Sequence, residues 1–427
     1  MSAHLPSLSR RRLIQSGGIA AAAAALSSFT SRVPAAAQPV ERRTPLSFNE
    51  DGTFRIVQFN DTQDGPLTDR RTIELMGRVL DEQKPGFALI NGDVINGDPT
   101  SDLEVSQAIN NVVMPMESRG IPWAVTFGNH DEDSTEEHGT HAFEPQMVEF
   151  VRQYKHNLNP SDADGLYGSS NGQLLVKGST GEAPAFAIWL LDSGRYAPEN
   201  PAGQSRDGLM GYDWLRPDQI RWYQELSQDT EARFGGKVPG LMFFHIPTYE
   251  HHHMWFGSQF TSDEAGHAEA VRRHGIEGVR HEDNYTGLFN SGIYAAAFER
   301  GDIGGIYCGH DHINTYMGNY YGVELGYGPG TGFGTYGLND GTLDTHSLRG
   351  ARVFDLNENT EGVYERTFLV FAKDLGIDMD PAAQKITAAE PFPEYVTAIG
   401  AGGVPSGPSS ELSSGLSSGL SSALGSS

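Results

Sequence analysis

Five short polar clusters in this chain carry side chains that could bind metal ions, and each cluster follows an apolar run. In chain order they are Asp61-Thr62-Gln63, Gly92-Asp93, Gly128-Asn129-His130-Asp131, His245 and Gly309-His310-Asp311-His312. Carboxylate, amide and imidazole groups are the oxygen and nitrogen donors that divalent cations take. Five such clusters supply enough donors for a site that holds two cations and hydrolyses an ester. The residue types therefore indicate a dinuclear hydrolytic centre.

The apolar runs before these clusters predict β-strands that end at the clusters. The runs are Ile56 to Phe59, Phe87 to Ile90, Trp123 to Phe127, Leu241 to Phe244 and Ile303 to Cys308. Helical stretches at Thr68 to Lys84 and Asp102 to Arg119 separate the first three. This β-α-β-α-β alternation predicts adjacent parallel strands with right-handed crossovers. Aligned strand ends would bring the polar clusters to one edge of a sheet.

The rest of the chain is less regular, and it adds further predicted elements. Helices are predicted at Phe143 to Tyr154, Pro217 to Ser227 and Phe289 to Glu299, and paired strands at Gln173 to Val176 and Ala185 to Leu191. We predict one α/β domain over residues 45–375 and a flexible Gly/Ser/Leu-rich tail over residues 400–427. Leucines recur every four residues in this tail, so a surface-attachment segment is the alternative.

The bulk composition excludes several classes of partner and site. The chain has 427 residues and a formal net charge of −25. A nucleic-acid polymer is not an expected partner, because binding one relies on clustered Lys and Arg. The one cysteine, Cys308, allows neither an intramolecular disulfide nor a Cys-based zinc site. We expect Cys308 to be a small buried residue.

Residues 1–37 resemble a twin-arginine export signal. The run Ser9-Arg10-Arg11-Arg12-Leu13 precedes an Ala-rich stretch and the small-residue site Ala35-Ala36-Ala37. The apolar stretch is shorter than the roughly 20 residues that a membrane span requires. We therefore expect no span in the mature chain and an extracellular, periplasmic or cell-envelope location. The C-terminal tail would mediate any association with the envelope.

The clusters, in this order, resemble the signature of the calcineurin-like metallophosphoesterases: Asp-x-His, Gly-Asp, Gly-Asn-His-Asp/Glu, a lone His and Gly-His-x-His. The segments 191–194, 239–247 and 309–314 are similar to a subgroup of small plant purple-acid-phosphatase-like proteins and related fungal phosphatases. The resemblance implies a four-layer α/β/β/α sandwich of two mixed β-sheets flanked by helices. The metals would lie at the rim of the sheets.

The resemblance also implies a role for each site residue. Seven residues would bind two divalent metal ions (Mn, Fe, Zn or Mg): Asp61, Gln63, Asp93, Asn129, His245, His310 and His312. Asp93 would bridge the two ions. His130 would lie just outside them and donate a proton or a hydrogen bond to the leaving oxygen, with Asp131 orienting it.

Two positions depart from the signature. Gln63 stands where the common pattern has a histidine, and its amide oxygen suits Mn²⁺ or Mg²⁺ better than Zn²⁺. The first metal is therefore expected to be weakly held. Asn96 stands where purple acid phosphatases have a tyrosine, three residues after the bridging Asp. We predict a colourless protein without an iron-tyrosinate absorption band.

The expected function is that of an exported metal-dependent phosphoesterase that hydrolyses phosphomonoesters by attack of a metal-bridging hydroxide. The partner is then a small phosphorylated substrate. One alternative is a phosphodiesterase that acts on small nucleotide or lipid-derived diesters. A further alternative is a non-catalytic, wall-associated binding protein that keeps the fold. The histidines at 138, 141 and 251–253 are predicted to be loop residues, and a position lining the substrate pocket is the alternative for each group.

Overall fold

The computed structural model describes residues 45–401, apart from 259, 261, 339–346, 381 and 383–387. The predicted export signal at residues 1–37 lies outside the described residues, as does the predicted tail from residue 402 onward. Within the described part of the chain, no helix combines the length and the apolar character that crossing a membrane requires.

The first sheet contains the predicted β-α-β-α-β unit. Its parallel strands are β1 (Thr53–Phe59), β2 (Phe87–Asn91) and β3 (Trp123–Thr126), joined by α1 (Arg70–Gln83) and α2 (Asp102–Glu117). Two antiparallel strands, β10 (Gly350–Asn357) and β11 (Tyr364–Phe371), extend it in the order β11-β10-β1-β2-β3. Asp69 and Ser101 cap the two helices, each accepting a hydrogen bond from a backbone N–H of the first turn. The prediction of adjacent parallel strands is confirmed.

The second sheet is formed by the middle of the chain. Its strands are β4 (Gly172–Lys177), β5 (Pro184–Leu190), β6 (Gly240–Phe243), β7 (Ile303–Cys308), β8 (Met317–Tyr320) and β9 (Val323–Tyr327). They lie in the order β4-β5-β6-β7-β9-β8. The four inner strands are parallel and the two outer strands pair antiparallel, so this sheet is mixed as well.

The two sheets pack face to face, and helices cover both outer faces. Ile56 and Leu89 of the first sheet share one buried cluster with Ile188 and Phe243 of the second. The outer face of the first sheet packs against α1, α2 and α4 (Glu144–Val151). The outer face of the second packs against α5 (Pro217–Phe234), α6 (Tyr249–Phe256), α7 (His267–His274) and α8 (Ile293–Arg300). The predicted four-layer α/β/β/α arrangement is confirmed.

The prediction that residues 251–253 form an exposed loop is wrong, because they lie in α6. His251 is buried, and its Nδ1 lies 3.1 Å from Oγ1 of Thr248, the residue that caps the helix. Burial lowers the pKa of His251 to about 3, so the imidazole is neutral. His251 is therefore a structural residue of the α6 N-terminus. Cys308 is buried, as predicted.

The fold extends further along the chain than the predicted domain end at residue 375. The side chain of Gln153, just beyond α4, exchanges two hydrogen bonds with the backbone of Thr397, at 3.0 and 2.7 Å. The backbone N–H of Ile399 donates to Ser106 Oγ of α2 at 2.9 Å, and Val396 is buried in the cluster under these helices. These contacts are irregular, so no hydrophobic periodicity marks them in the sequence.

Candidate metal centre

The predicted ligands come together where the carboxyl ends of parallel strands from both sheets meet. In the first sheet, Asp61, Asp93 and Asn129 follow β1, β2 and β3. In the second sheet, His245 follows β6, and both His310 and His312 follow β7. Each sheet therefore supplies three of these six side chains.

Several ligand residues have a backbone conformation that side chains other than glycine rarely adopt. The φ angles of Asp61, Gln63, Asp93 and His310 are 48°, 32°, 47° and 73°. Such left-handed conformations cost free energy and persist where the surrounding structure holds them. Hydrogen bonds between the loops stabilise these conformations. The backbone N–H of Gln63 donates to the backbone oxygen of Asp93 at 2.9 Å, and that of His310 donates to Asp61 Oδ1 at 3.1 Å. The strain therefore coincides with the ligand positions.

Two glycines allow the ligand side chains to approach the loops closely. A Cβ on Gly92, which has a φ of +83°, would lie 2.2 Å from Nδ1 of His245. A Cβ on Gly128 would lie 2.3 Å from Oδ1 of Asp93. The Gly-Asp and Gly-Asn-His-Asp clusters thus need glycine at these positions, because any larger residue would clash with the side chain of His245 or Asp93.

Two groups of buried side chains have ligand atoms within 4.8 Å of one another: Asp61, Asp93 and His312 in one, and Asp93, His245 and His310 in the other. Asp93 belongs to both, as a bridging carboxylate must. Its Oδ2 lies 3.1 Å from Nε2 of His245. On the other side, Asp61 Oδ1 lies 3.4 Å from Nε2 of His312. The two groups form a dinuclear arrangement.

Three buried polar atoms at this centre show that the donor set fits cations. Gln63 Oε1, Asn129 Oδ1 and His310 Nε2 make no hydrogen bond to any described residue. A buried polar atom without a partner costs about 1–3 kcal/mol, and coordination of a cation would satisfy each of these three atoms. Asn129 Nδ2 donates to the hydroxyl of Tyr196 at 3.1 Å, which fixes the amide so that Oδ1 is the remaining donor atom. Oxygen and imidazole donors of this kind suit two divalent cations.

Hydrogen bonds to the backbone fix two of the histidine rings. Nδ1 of His245 lies 3.1 Å from the carbonyl oxygen of Asn91, and Nδ1 of His312 lies 3.3 Å from that of Tyr336. A proton on Nδ1 is donated in each case, which leaves the Nε2 lone pair for a metal. The rings therefore present the same atom to the centre.

The charges at the centre shift the pKa values of its members. Burial opposes ionisation of Asp93, but the nearby His245 and His130 outweigh it and hold the pKa of that carboxyl below its usual range. Burial likewise opposes the charged form of His245, yet Asp93 and Asp61 raise its pKa to about 10, so a cation that binds at Nε2 would displace a proton from this ring. Burial, together with the charge of His245, lowers the pKa of His310 well below its usual value. The imidazole of His310 is thus neutral.

His130 lies beside the two ligand groups, and its orienting partner differs from the expected one. Its backbone N–H donates to Asp93 Oδ1 at 2.9 Å, while its Nδ1 lies 2.5 Å from Oδ2 of Asp133. Burial disfavours the charged ring, but Asp133 and Asp93 outweigh burial and raise the pKa of His130 to about 8. Asp131, the expected partner, instead accepts from the backbone N–H groups of Ile95 and Gly128. Asp131 therefore holds the loops, because its side chain turns back toward β2 and β3.

Sequence reasoning missed Asp133 and Arg195. Arg195 Nη2 donates to Asp133 Oδ1 at 2.8 Å, and its Nε donates to the backbone oxygen of Asn129 at 3.1 Å. A signal was present, since the 192–196 segment follows β5 as the ligand clusters follow their own strands. Asp133 begins α3 (Asp133–Glu137), so it resembles an ordinary helix-start residue in the sequence.

Comparison with known proteins places this arrangement in a family. A family model described as calcineurin-like phosphoesterase matches residues 54–314, more than half of the chain. The probable inactive purple acid phosphatase 14 of Arabidopsis thaliana is 29% identical over 69% of this chain and 74% of its own length. Phosphatase DCR2 of Saccharomyces cerevisiae is 25% identical over 75% of this chain, which spans only 54% of that protein. A solved dimetal phosphatase from Danio rerio aligns with a TM-score of 0.44 and 12% identity, covering 75% of this chain and 99% of its own. On the strength of the family match, the chain belongs to the calcineurin-like phosphoesterases.

Proposed function

We propose that this chain is an exported metal-dependent phosphoesterase that acts chiefly on phosphomonoesters. The main support for the proposal is the position of Asp93. Its carboxylate belongs to both ligand groups and also accepts a hydrogen bond from the backbone N–H of His130. Family membership supports a phosphoester hydrolase at this centre. The ester bond to be cleaved would lie between the ligand groups and the imidazole of His130.

Different residues of the centre would have different roles in the proposed hydrolysis. Two divalent cations, if held by the two ligand groups that share Asp93, would supply Lewis acidity for the hydrolysis of a phosphoester near neutral pH. His130 is placed to donate to the departing oxygen, because 38% of its side chain is exposed and Asp133 holds its Nδ1. A positioned imidazole contributes about 10²-fold to 10⁴-fold in such a transfer. Arg195 fixes Asp133 and the Asn129 loop in place.

The second candidate is a binding protein that keeps the fold without catalysis. Two observations favour it: Gln63 replaces an imidazole at the first group, and similar plant proteins are named as probably inactive. The remaining ligands favour activity, because the buried groups around Asp93 are all present. Catalysis is therefore the preferred proposal.

The test is a substrate panel on the mature chain after removal of metal and reconstitution with Mn²⁺, Fe²⁺, Zn²⁺ or Mg²⁺. We expect about two ions per chain and faster hydrolysis of 4-nitrophenyl phosphate than of bis(4-nitrophenyl) phosphate. The Asp93→Asn variant should lose both metal and activity. A faster reaction with the diester would support the phosphodiesterase alternative. Less than one ion per chain, with no hydrolysis in any metal, would support the binding protein.

Export belongs to the same proposal and is supported by the sequence of residues 1–37. The run Arg10-Arg11-Arg12 precedes the Ala-rich stretch and the Ala35-Ala36-Ala37 site. We expect the Arg10→Lys/Arg11→Lys chain to stay in the cytoplasm and the unaltered chain to leave it. Equal export of the two chains would contradict the twin-arginine route.

A further inference from the structure

Four partly exposed tyrosines contact the residues of the metal centre. Tyr196 accepts a hydrogen bond from Asn129, and the ring centroid of Tyr212 lies 4.3 Å from that of His310. The ring of Tyr285 lies 6.5 Å from the same His310, and Tyr336 stacks on His312 at 4.0 Å. Tyr196, Tyr285 and Tyr336 are 40%, 38% and 51% exposed. These four residues, here called the tyrosine rim, therefore lie beside both ligand groups with part of each side chain exposed.

Three members of the tyrosine rim form a continuous wall. The ring of Tyr212 lies 6.0 Å from that of Tyr196 and 6.2 Å from that of Tyr285. Tyr196 and Tyr212 also pair through their backbones. Centroids at this spacing are in the range of favourable aromatic pairs. The wall is therefore held together by contacts among its own members.

The fourth member lies against the other ligand group. The hydroxyl of Tyr336 donates to Glu282 Oε2 at 2.8 Å, while its backbone oxygen is 3.3 Å from Nδ1 of His312. The wall contacts Asn129 and His310, whereas Tyr336 contacts His312. Aromatic rings thus border both ligand groups, and the exposed parts of the rings are available to a bound substrate.

We propose that the tyrosine rim makes the enzyme select phosphoesters whose leaving group carries a planar aromatic ring, such as nucleoside monophosphates. This inference rests on the proposed function of the same centre. Stacking a base on one aromatic side chain strengthens binding by about 5-fold to 150-fold. Ordered aromatic side chains give this gain with little loss of conformational entropy. A substrate that offers only a sugar or an aliphatic chain would not gain it.

The experiment compares adenosine 5′-monophosphate with ribose 5-phosphate on the metal-loaded mature chain. Both release phosphate from a primary alcohol, so they differ in the base and not in the chemistry of the leaving oxygen. We expect kcat/KM to be about 10-fold higher for the nucleotide. Tyr285→Leu should remove most of this preference, and Tyr285→Phe should keep it, because the ring rather than the hydroxyl stacks. Tyr321→Leu is the control, since Tyr321 lies in the turn between β8 and β9 and is 60% exposed.

Binding provides a second measurement of the same selection. Calorimetric titration of each compound into the Mn²⁺-loaded His130→Ala variant, in which hydrolysis should be slow, should give the nucleotide the lower Kd, by a similar factor. Equal kcat/KM and equal Kd for the two compounds would contradict the proposed selection of aromatic leaving groups. The proposed phosphatase activity would not be affected by that result. If neither these two compounds nor any other phosphoester were hydrolysed, the proposed function itself would be contradicted. In that case a nucleotide preference in Kd would still support the tyrosine rim, and its absence would overturn it.

Discussion

The carboxylate of Asp133 joins His130 to Arg195. Its Oδ2 lies 2.5 Å from Nδ1 of His130, and its Oδ1 accepts a hydrogen bond of 2.8 Å from Arg195. One side chain at the start of α3 thus connects the imidazole beside the ligand groups to a guanidinium that follows β5. The orientation of His130 depends on this connection and not on Asp131.

We expect Asp133→Asn to lower kcat by about 10-fold to 100-fold, because a neutral amide holds the charged imidazole less firmly. The loss should be larger for phenyl phosphate than for 4-nitrophenyl phosphate, since the poorer leaving group depends more on proton donation. Steady-state kinetics with the two esters provide the measurement. Glu137→Gln is the matched control, because Glu137 lies on the same helix and its side chain is exposed. An equal loss for both esters would argue against a role of Asp133 through His130.

The Gln63→His variant should bind its first cation more tightly than the natural chain does. An imidazole is a stronger ligand than an amide oxygen for most transition metals, and Gln63 Oε1 is already buried without a hydrogen-bond partner among the described residues. Activity measured against added Mn²⁺ should reach half of its maximum at a lower concentration in the variant. Gln63→Ala should shift this concentration upward. Equal activity of the natural chain and Gln63→His in chelator-treated buffer would refute weak binding at this position.

Substituting Gly92 should be far more damaging than substituting an equally left-handed glycine elsewhere. Gly92→Ala would place a Cβ 2.2 Å from the ring of His245, so we expect a loss of about 3 kcal/mol or more in the free energy of unfolding. Gly139 has a φ of +69° with nothing within 4 Å of its Cβ position. Gly139→Ala should therefore cost only the backbone strain, about 1 kcal/mol. Urea unfolding of both variants measures the difference, and equal losses would contradict the steric explanation.

Removing the metals should lower the stability of the whole fold. Ligands that bind the folded state at 100 times their Kd add about 2.7 kcal/mol per site. We expect a chelator to lower the Tm of the natural chain and readdition of Mn²⁺ to restore it. The Asp93→Asn variant should show a much smaller response, because it lacks the shared carboxylate. A Tm that does not change on chelation would count against occupied sites.

The buried Glu144 should make stability fall as the pH rises. Burial and the negative charges of Asp192 and Glu132 raise the pKa of Glu144 well above 4.5. A carboxyl with a raised pKa in the folded state favours folding most while it is protonated, and this contribution is lost as the pH rises above 4.5 toward the folded value. In Glu144→Gln the free energy of unfolding should vary less over this range. Glu149→Gln, on the same helix with 72% of its side chain exposed, should keep the natural slope.

Much of the architecture could be predicted because local signals coincide with it. Each ligand cluster directly follows a strand, so one pattern located β1, β2, β3, β6 and β7 together with their side chains. The two mixed sheets, in contrast, came from the family resemblance. The antiparallel pairing of β1 with β10 joins the two ends of the domain, and no local pattern specifies it.

Three other features were missed because each depends on a contact between distant segments. His251 resembles a surface histidine in a His-Met-Trp run, yet α6 buries it against Tyr327. Likewise, Val396 and Ile399 show no periodicity, but they complete the layer over α2. Arg195 acquires its role from Asp133, more than 60 residues earlier in the chain. The spacing of residues along the sequence does not predict any of these contacts.

The division of the ligands between the two sheets has a consequence for the order of assembly. Neither sheet can form either ligand group alone, since Asp61 and Asp93 come from the first and His245, His310 and His312 from the second. High-affinity capture of cations therefore becomes possible only after the two sheets dock. In a chain exported already folded, as proposed above, both ligand groups would be complete before transport. The cations of the compartment in which the chain folds, rather than those of its destination, would then reach the centre first.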